Sequence, residues 1–297
     1  MKPGSKKLGR CLWALLLLLP AGRPWANAPV DAGASLMQEY RSLRPTLMHS
    51  EFGLPLSLRT RIADQQAQGE AFVLMDTPLA TLSDLFGQAS NWCELGILHV
   101  NIKSCTYRDA GIRYFVGRKE YQEPEDAFAL DYRFKVLQRN PESLRVRLDA
   151  DEGPLGTSNY LLAVDAIAVD AGRSFLRFRY QYQFGWAARL AMGAYLATAG
   201  SDKVGFTVTG HDESGRAVYV RGMQGVVERN VMRYVLAIRS MLEESRPAAR
   251  LERWYSLSED YARQLVELKR EQYLANKMLE QRNQLELQRA LQARLDH

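Results

Sequence analysis

Strict alternation of apolar and polar side chains constrains this fold more than any other feature of the sequence. In the segment SFLRFRYQYQF, Ser174–Phe184, apolar and aromatic residues occupy the even positions from Leu176 onward, and Arg or Gln occupies the odd positions from Arg177 to Gln183. A period of two is typical of an antiparallel strand with one face on a core and the other in water. The segment is therefore predicted to be a strand of a half-solvated sheet.

The same alternation recurs elsewhere at spacings that predict a meander. Residues 130–136, 144–148 and 160–168 each place apolar side chains on one face, and turn sequences separate these runs. Two further strands are expected over about 203–210 and 217–222, joined by the turn DESG. Regularly spaced strands and turns indicate antiparallel connections rather than parallel βαβ units.

An amphipathic helix follows these strands. Its apolar positions recur from Val227 to Leu242 at helical spacing, whereas Glu228, Arg229 and Arg233 lie on the opposite side. This pattern predicts a helix laid on the sheet with its charged side in water. The predicted fold class is α+β: a curved antiparallel sheet gripping a long C-terminal amphipathic helix, plus an additional extended helical tail.

The first 28 residues have the features of a secretory signal. A basic start precedes a short apolar run centred on Leu15 to Leu19, and Ala26-Asn27-Ala28 fits a cleavage site. We expect a periplasmic or secreted protein, with an uncleaved membrane anchor as the alternative. The segment holds five basic and no acidic residues, so its removal lowers the net charge from +5 to about zero. A near-neutral mature chain argues against a nucleic-acid partner, which requires a clustered positive surface.

Two cysteines remain after cleavage, Cys93 and Cys105. An even number in an exported chain predicts a disulfide between them, with two buried free thiols as the alternative. His99 is the one imidazole close to them in sequence, and the ligand spacing of a zinc site is missing. The sequence therefore predicts neither a metal site nor a cofactor.

The order of elements, with EAFVLMDTPLATLSDLF as first strand and helix and ERNVMRYVLAIRSML as last helix, resembles the START-like superfamily of helix-grip proteins. That superfamily includes Bet v 1-like proteins, lipid-transport proteins and polyketide cyclases. The resemblance covers about 69–245 and implies a cavity between sheet and helix that holds a lipid or another apolar molecule. The expected boundaries are a signal peptide at 1–28, an N-terminal extension at 29–68, the helix-grip domain at 69–246 and a charged helical tail at 247–297.

Side chains on the apolar faces of the strands are the predicted ligand-binding residues, with the tyrosine hydroxyls orienting a polar end of the ligand. Two further aromatic residues follow the Ser174–Phe184 strand, near the expected cavity mouth. The complete predicted set is Tyr132, Phe134, Tyr160, Leu162, Phe178, Tyr180, Tyr182, Phe184, Trp186 and Tyr195.

Two segments give predictions about partners. Residues 187–198 are apolar nearly all round, which predicts a lid or a helix in transient contact with a membrane; the alternative is a packed connector. Residues 256–294 form a predicted helix without Gly or Pro whose apolar stripe drifts beyond Tyr273. A solvated helix fits that pattern, and a helix for self-association or a protein partner is the other interpretation.

The sequence contains no recognisable catalytic set. The nucleophile motif G-x-S-x-G is missing, and His49, His99, His211 and His297 are scattered along the chain. The leading hypothesis is an exported protein that binds or carries a hydrophobic ligand without catalysis. A cyclase or hydrolase using the same cavity, and an envelope protein acting through its C-terminal helix, are the alternatives.

Overall fold

A computed structural model describes residues 32–63, 65–186, 188–190, 193 and 202–294. Within these ranges an eight-stranded antiparallel sheet has the order β1-β2-β8-β7-β6-β5-β4-β3. Its strands are β1 Leu56–Ala63, β2 Gln66–Met75, β3 Ile102–Arg108, β4 Gly111–Val116, β5 Phe128–Arg139, β6 Ser143–Glu152, β7 Thr157–Ala168 and β8 Ser174–Phe184. Neighbouring strands along the chain from β3 to β8 are paired, which is the meander that the alternation predicts.

Helices precede, interrupt and follow the sheet. They are α1 Ala32–Met48, α2 Leu79–Phe86, α3 Ala89–Gly96, α4 Gly222–Glu243, α5 Pro247–Glu259, α6 Ala262–Leu265 and α7 Arg270–Ala293. The long helix α4 lies against β1, β2 and β8. A Cβ atom at Gly69 of β2 would come within 2.6 Å of Val227 and Val231, so the missing side chain allows this close approach. The α+β helix-grip fold class is confirmed.

The two faces of β8 separate as predicted. Leu176, Phe178 and Phe184 are buried on the face toward α4, while Arg177 and Arg179 are half-exposed on the other face. The outer charges pair across strands. Arg177 Nη2 lies 2.7 Å from Asp165 Oδ2 on β7, and Arg179 Nε lies 3.2 Å from Glu70 Oε1 on β2. Part of this outer face is covered by α1, whose Leu36 and Leu47 belong to a second, smaller core with Phe72, Leu74, Ile167 and Phe175.

The strands predicted over 203–210 and 217–222 are shorter and do not join the main sheet. They form a separate hairpin of β9 Val208–His211 and β10 Ala217–Tyr219. Every residue of β9 is exposed, so this strand has no apolar face to lay on the core. The hairpin instead connects the described residues after 201 to the start of α4.

The charged side of α4 is not in water, contrary to the sequence-based expectation. Arg233 is buried under α5 and the turn after α6, whereas Glu228 and Arg229 are buried under the segment 204–207 that precedes β9. Glu228 accepts hydrogen bonds from Phe206 N at 2.6 Å and from Thr207 N at 2.9 Å. Helix α4 is therefore held between two layers.

The C-terminal extension, residues 247–294, turns back on the domain. The single helix expected over 256–294 is interrupted between Glu259 and Arg270, where α6 is a short turn of helix. The interruption lets α5 lie along α4 while α7 lies along the edge strand β3. Trp254 and Tyr273 stack with 5.0 Å between ring centroids and join α5 to α7.

The predicted disulfide between Cys93 and Cys105 is present and joins α3 to β3. The cysteines are 12 residues apart, and closing a loop of this size in the unfolded chain removes entropy worth about 3 kcal/mol. We expect the double variant Cys93→Ala/Cys105→Ala to lose about that much free energy of unfolding in urea titrations. Dithiothreitol should produce a similar loss in the wild-type chain and none in the variant. Equal stability with and without dithiothreitol would contradict this expectation.

Candidate functional site

A cavity of about 170 Å³ lies between the inner face of the sheet and α4. Its walls come from the turn after α3, from β3, β4, β5, β7 and β8, and from α4. The lining residues are His99, Asn101, Ile102, Tyr114, Val116, Gly117, Leu130, Tyr132, Pro154, Tyr160, Tyr180, Asn230 and Tyr234. Five tyrosines, a histidine and two asparagines make this cavity polar as well as aromatic.

The tyrosine hydroxyls divide into two groups. Tyr114 donates to the Trp92 carbonyl oxygen at 2.7 Å, and the Tyr160 hydroxyl lies 2.8 Å from Thr157 Oγ1. The hydroxyls of Tyr132, Tyr180 and Tyr234 form no hydrogen bond with another residue in the described ranges. Each of these hydroxyls can donate one hydrogen bond and accept others, so polar atoms of an occupant can bond to them directly.

Burial keeps these phenols protonated. It raises the pKa of Tyr132 and of Tyr180 well above the ordinary value, and the neighbouring tyrosines add to the increase. The pKa of Tyr234 is raised for the same main reason. The cavity therefore offers neutral hydroxyl donors rather than phenolate charges at neutral pH.

His99 is the imidazole in the cavity wall. Burial lowers its pKa well below the ordinary value, and the cations of Arg233, Lys277 and Lys103 lower it further, against a hydrogen bond with the Asn230 side chain that raises it. The ring is therefore neutral at physiological pH. Its Nδ1 accepts a bond from Asn101 N at 3.2 Å, which places the ring proton on Nε2.

The structure brings three of the predicted binding residues to the cavity: Tyr132, Tyr160 and Tyr180. Of the others, Tyr182 packs directly on Tyr160 and Tyr180. The rings of Tyr182 and Tyr160 stack with 5.4 Å between their centroids, and the ring centroids of Phe178 and Tyr234 lie 5.0 Å apart. Leu162 and Phe184 are buried in the core, Phe134 is half-buried, Trp186 is 80% exposed, and Tyr195 lies outside the described residues.

The strand pattern misses the polar residues of the site. His99 and Asn101 come from the turn between α3 and β3, and Asn230 comes from the charged side of α4. Tyr114 of β4 and Tyr234 of α4 do follow apolar patterns, and their positions opposite β5 and β8 could be inferred only with the topology known. The fold, rather than any motif, assembles this site.

A buried ion cluster lies beside the His99 turn. We call Lys103, Lys277 and Glu280 the lysine clasp. Lys103 Nζ lies 2.8 Å from Glu280 Oε1, and Lys277 Nζ lies 2.6 Å from Glu280 Oε2, with all three side chains at most 2% exposed. The ammonium groups also donate to backbone carbonyls of the turn. The clasp ties α7 to the segment that carries His99.

The lysine clasp is expected to make the free energy of unfolding depend on pH. Burial lowers the pKa of Lys277 from its ordinary value of 10.5 to about 8, although Glu280 opposes the shift. Below pH 8 both states are protonated and the full cost of burying the ammonium applies. Between about pH 8 and 10.5 the unfolded chain holds more protons, so the free energy of unfolding is expected to rise with pH. Urea titrations at pH 8, 9 and 10 measure this slope.

Two variants test whether Lys277 causes the increase of the free energy of unfolding with pH. Lys277→Met should reduce it, leaving the part due to Lys103, whose pKa burial also lowers. Lys269→Met, at an exposed position just before α7, should leave it unchanged. Equal slopes in the wild type and in Lys277→Met would contradict the expectation.

Three further sequence-based expectations concern a metal site, a membrane-spanning helix and the segment 187–198. In the described part of the chain no cluster of three or more His, Cys, Asp or Glu side chains could hold a metal ion. No described helix is both long and apolar enough to cross a membrane. The predicted lid over 187–198 lies mostly outside the described residues; residues 188–190 and 193 are helical, and Leu190 is exposed. The lid and the packed connector both stay predictions.

No family model matches this chain, and no curated protein matches it. Solved structures match with low scores. A point mutant of norcoclaurine synthase from Thalictrum flavum is 9% identical, with a TM-score of 0.34, over 48% of this chain and 89% of its own. Human StAR-related lipid transfer protein 5 is 8% identical, with a TM-score of 0.30, over 57% of this chain and 92% of its own. An uncharacterised protein from Rhizobium leguminosarum is 14% identical, with a TM-score of 0.28, over 49% and 90%.

The assignment of the fold rests on this chain's own topology. An antiparallel meander whose inner face packs on one long helix near the C-terminal end is the helix-grip arrangement. The helix-grip fold expected from the order of elements is thereby confirmed.

Proposed function

We propose that this helix-grip chain binds a compact cyclic or aromatic molecule with polar substituents in the cavity between sheet and α4. The observation that carries the proposal is the set of three unpartnered tyrosine hydroxyls around a cavity of about 170 Å³. No covalent step is needed for such a role. The chain would act as a carrier or a sensor of its ligand.

The size of the cavity favours a single ring. Pockets for drug-sized ligands have volumes of about 300–1,000 Å³, whereas an engineered apolar cavity of about 150 Å³ accepts benzene. A cavity of about 170 Å³ fits one substituted ring. A long acyl chain, which the family resemblance suggested equally, would require this cavity to enlarge.

The lining favours a neutral molecule with hydroxyl or carbonyl groups. The phenols offer directional hydrogen bonds, and Ile102, Val116 and Leu130 offer apolar contact. At about 30 Å³ each, roughly six waters correspond to the volume of the cavity. A ligand gains affinity when its polar atoms replace the hydrogen bonds of those waters.

The hydroxyls should determine affinity. We expect phenol to bind the wild-type chain more tightly than benzene, and Tyr132→Phe and Tyr180→Phe each to weaken phenol binding about tenfold, the effect of one lost hydrogen bond. Calorimetry and ligand-observed NMR measure these affinities. Tyr219→Phe, a tyrosine of β10 outside the cavity, is the matched control and should bind phenol normally.

The alternatives give different results in the same titration. Binding of decanoate or palmitate without binding of any ring compound would favour an acyl-chain carrier and contradict the ring-sized ligand. If neither class binds, and no small molecule is released when purified protein is denatured for mass spectrometry, the binding function itself fails.

We also propose that the chain is exported, with residues 1–28 removed as a signal peptide. The Cys93–Cys105 disulfide supports this proposal, because disulfides persist mainly in oxidising compartments. Fractionation of cells that express the full chain, with intact-mass measurement of the product, tests it. Recovery of the uncleaved chain in the cytoplasm would contradict export.

A further inference from the structure

The His99 turn is held by the C-terminal extension from outside the cavity. Lys277 Nζ donates to the carbonyl oxygens of His99 at 2.7 Å and of Ile102 at 2.8 Å. The Tyr273 hydroxyl donates to the Leu98 carbonyl oxygen at 2.9 Å. Two side chains of α7 therefore hold three backbone carbonyls in the segment that brings His99 and Asn101 into the cavity wall.

The extension also reaches the side-chain partner of His99 by a second route. Glu267, in the turn between α6 and α7, forms an ion pair with Arg233 of α4. Arg233 Nη1 donates to Asn230 Oδ1 at 3.3 Å, and Asn230 lines the cavity together with His99. Trp254 of α5 holds the same helix turn through a bond from Nε1 to the Arg233 carbonyl oxygen at 3.1 Å. Backbone and side-chain positions of the polar wall thus depend on separate contacts.

These contacts matter because hydrogen bonds from the wall are directional. Their strength falls steeply beyond about 3.2 Å and below an angle of about 120°, so a small movement of His99 or Asn230 removes a bond to a ligand. Apolar contacts in the same cavity tolerate such a movement better. A loosened wall should therefore reduce selectivity for polar ligands more than it reduces binding of apolar ones.

We propose that Lys277 and Glu267 of the C-terminal extension are positioning residues, which fix His99 and Asn230 and so set the preference of the cavity for polar ring compounds. This inference rests on the proposed function for its ligand. It gives the extension a role in the binding site, in place of the solvated tail that the sequence pattern indicated.

The experiment compares phenol and benzene as probes of full-length variants. Lys277→Met keeps the length of the side chain, and Glu280 keeps its bond to Lys103. Glu267→Gln changes the charge opposite Arg233 without touching the cavity. In both variants we expect phenol affinity to fall about tenfold and benzene affinity to change less than twofold. Glu271→Gln, at an exposed position of α7, is the control and should match the wild type.

A merely structural role would give a different pattern. If both affinities fall in parallel, or if neither changes, the positioning role is overturned. Nitrogen-15 NMR of the ligand-free chain gives a second measurement, since the wild type should show His99 with its proton on Nε2 and the variants should show mixed tautomers. This readout decides the positioning role even if the wild-type chain binds neither ring, a result that would overturn only the proposed function.

Discussion

Glu280→Gln is expected to lower the free energy of unfolding by about 3–5 kcal/mol. Glu280 is fully buried, and its carboxylate is the counter-ion of both Lys103 and Lys277. A glutamine retains the size of the side chain but leaves two buried ammonium groups without a negative charge. Breaking a buried ion pair by removal of one partner costs this much, because the remaining charge is stranded away from water.

Urea titration followed by circular dichroism measures the change. Glu286→Gln is the matched control, since Glu286 lies on the same helix and is exposed. Its free energy of unfolding should stay within about 0.5 kcal/mol of the wild type. A loss below about 1 kcal/mol in Glu280→Gln would mean that the lysines find other partners or water, and that the clasp does not hold α7 as described.

Trp254→Ala should destabilise the chain by a similar amount, about 3–5 kcal/mol. The Trp254 side chain is 1% exposed, stacks on Tyr273 and bonds the Arg233 carbonyl oxygen through Nε1. The truncation removes a large buried side chain and leaves a cavity where α4, α5 and α7 meet, and such changes in cores cost this much. Thermal unfolding and urea titration both detect the loss.

Trp186 supplies a control of the same residue type. Trp186 is 80% exposed, so Trp186→Ala should change the free energy of unfolding by no more than about 0.5 kcal/mol. Comparable stability of the two variants would contradict the packing of the extension against α4. That outcome would also weaken the proposed link between the extension and the cavity wall.

Much of the sheet could be predicted from the sequence, because alternation depends on neighbouring residues alone. The inner face of β8 and the tyrosines at 132, 160 and 180 follow from a period of two, and the order of elements predicts the helix that packs on them. The sequence pattern predicts β9 and β10 as strands of the main sheet, but they pair only with each other. The pattern of a single strand does not determine which strand it pairs with.

The C-terminal extension illustrates what local patterns miss. The buried face of α7 carries Tyr273, Lys277, Glu280 and Gln284 at helical spacing, and three of these four are polar. A hydropathy pattern treats that face as solvated. Lys277 and Glu280 can be buried because their partners include Lys103 and the His99 carbonyl, more than 170 residues away in the chain. Such pairing is a property of the tertiary fold.

The polar part of the cavity was missed for the same reason. Asn230 lies between Arg229 and Arg233 on a side of α4 that looked exposed, and its role depends on the turn that carries His99. An isolated histidine in a turn gives no signal of its own in a single sequence. Three of the five lining tyrosines were predictable, and the hydrogen-bonding wall was not.

The burial of α4 on both sides has a consequence for ligand kinetics. The sheet covers one side of the helix and the C-terminal extension covers the other, so the helix cannot swing outward without disrupting both layers. For a ligand of the proposed kind, entry and exit would then depend on the loops at the edge of the cavity, which carry Gly117 and Pro154, rather than on α4. The backbone amides of α4 should accordingly be among the slowest in the chain to exchange with deuterium, whether or not a ligand is bound.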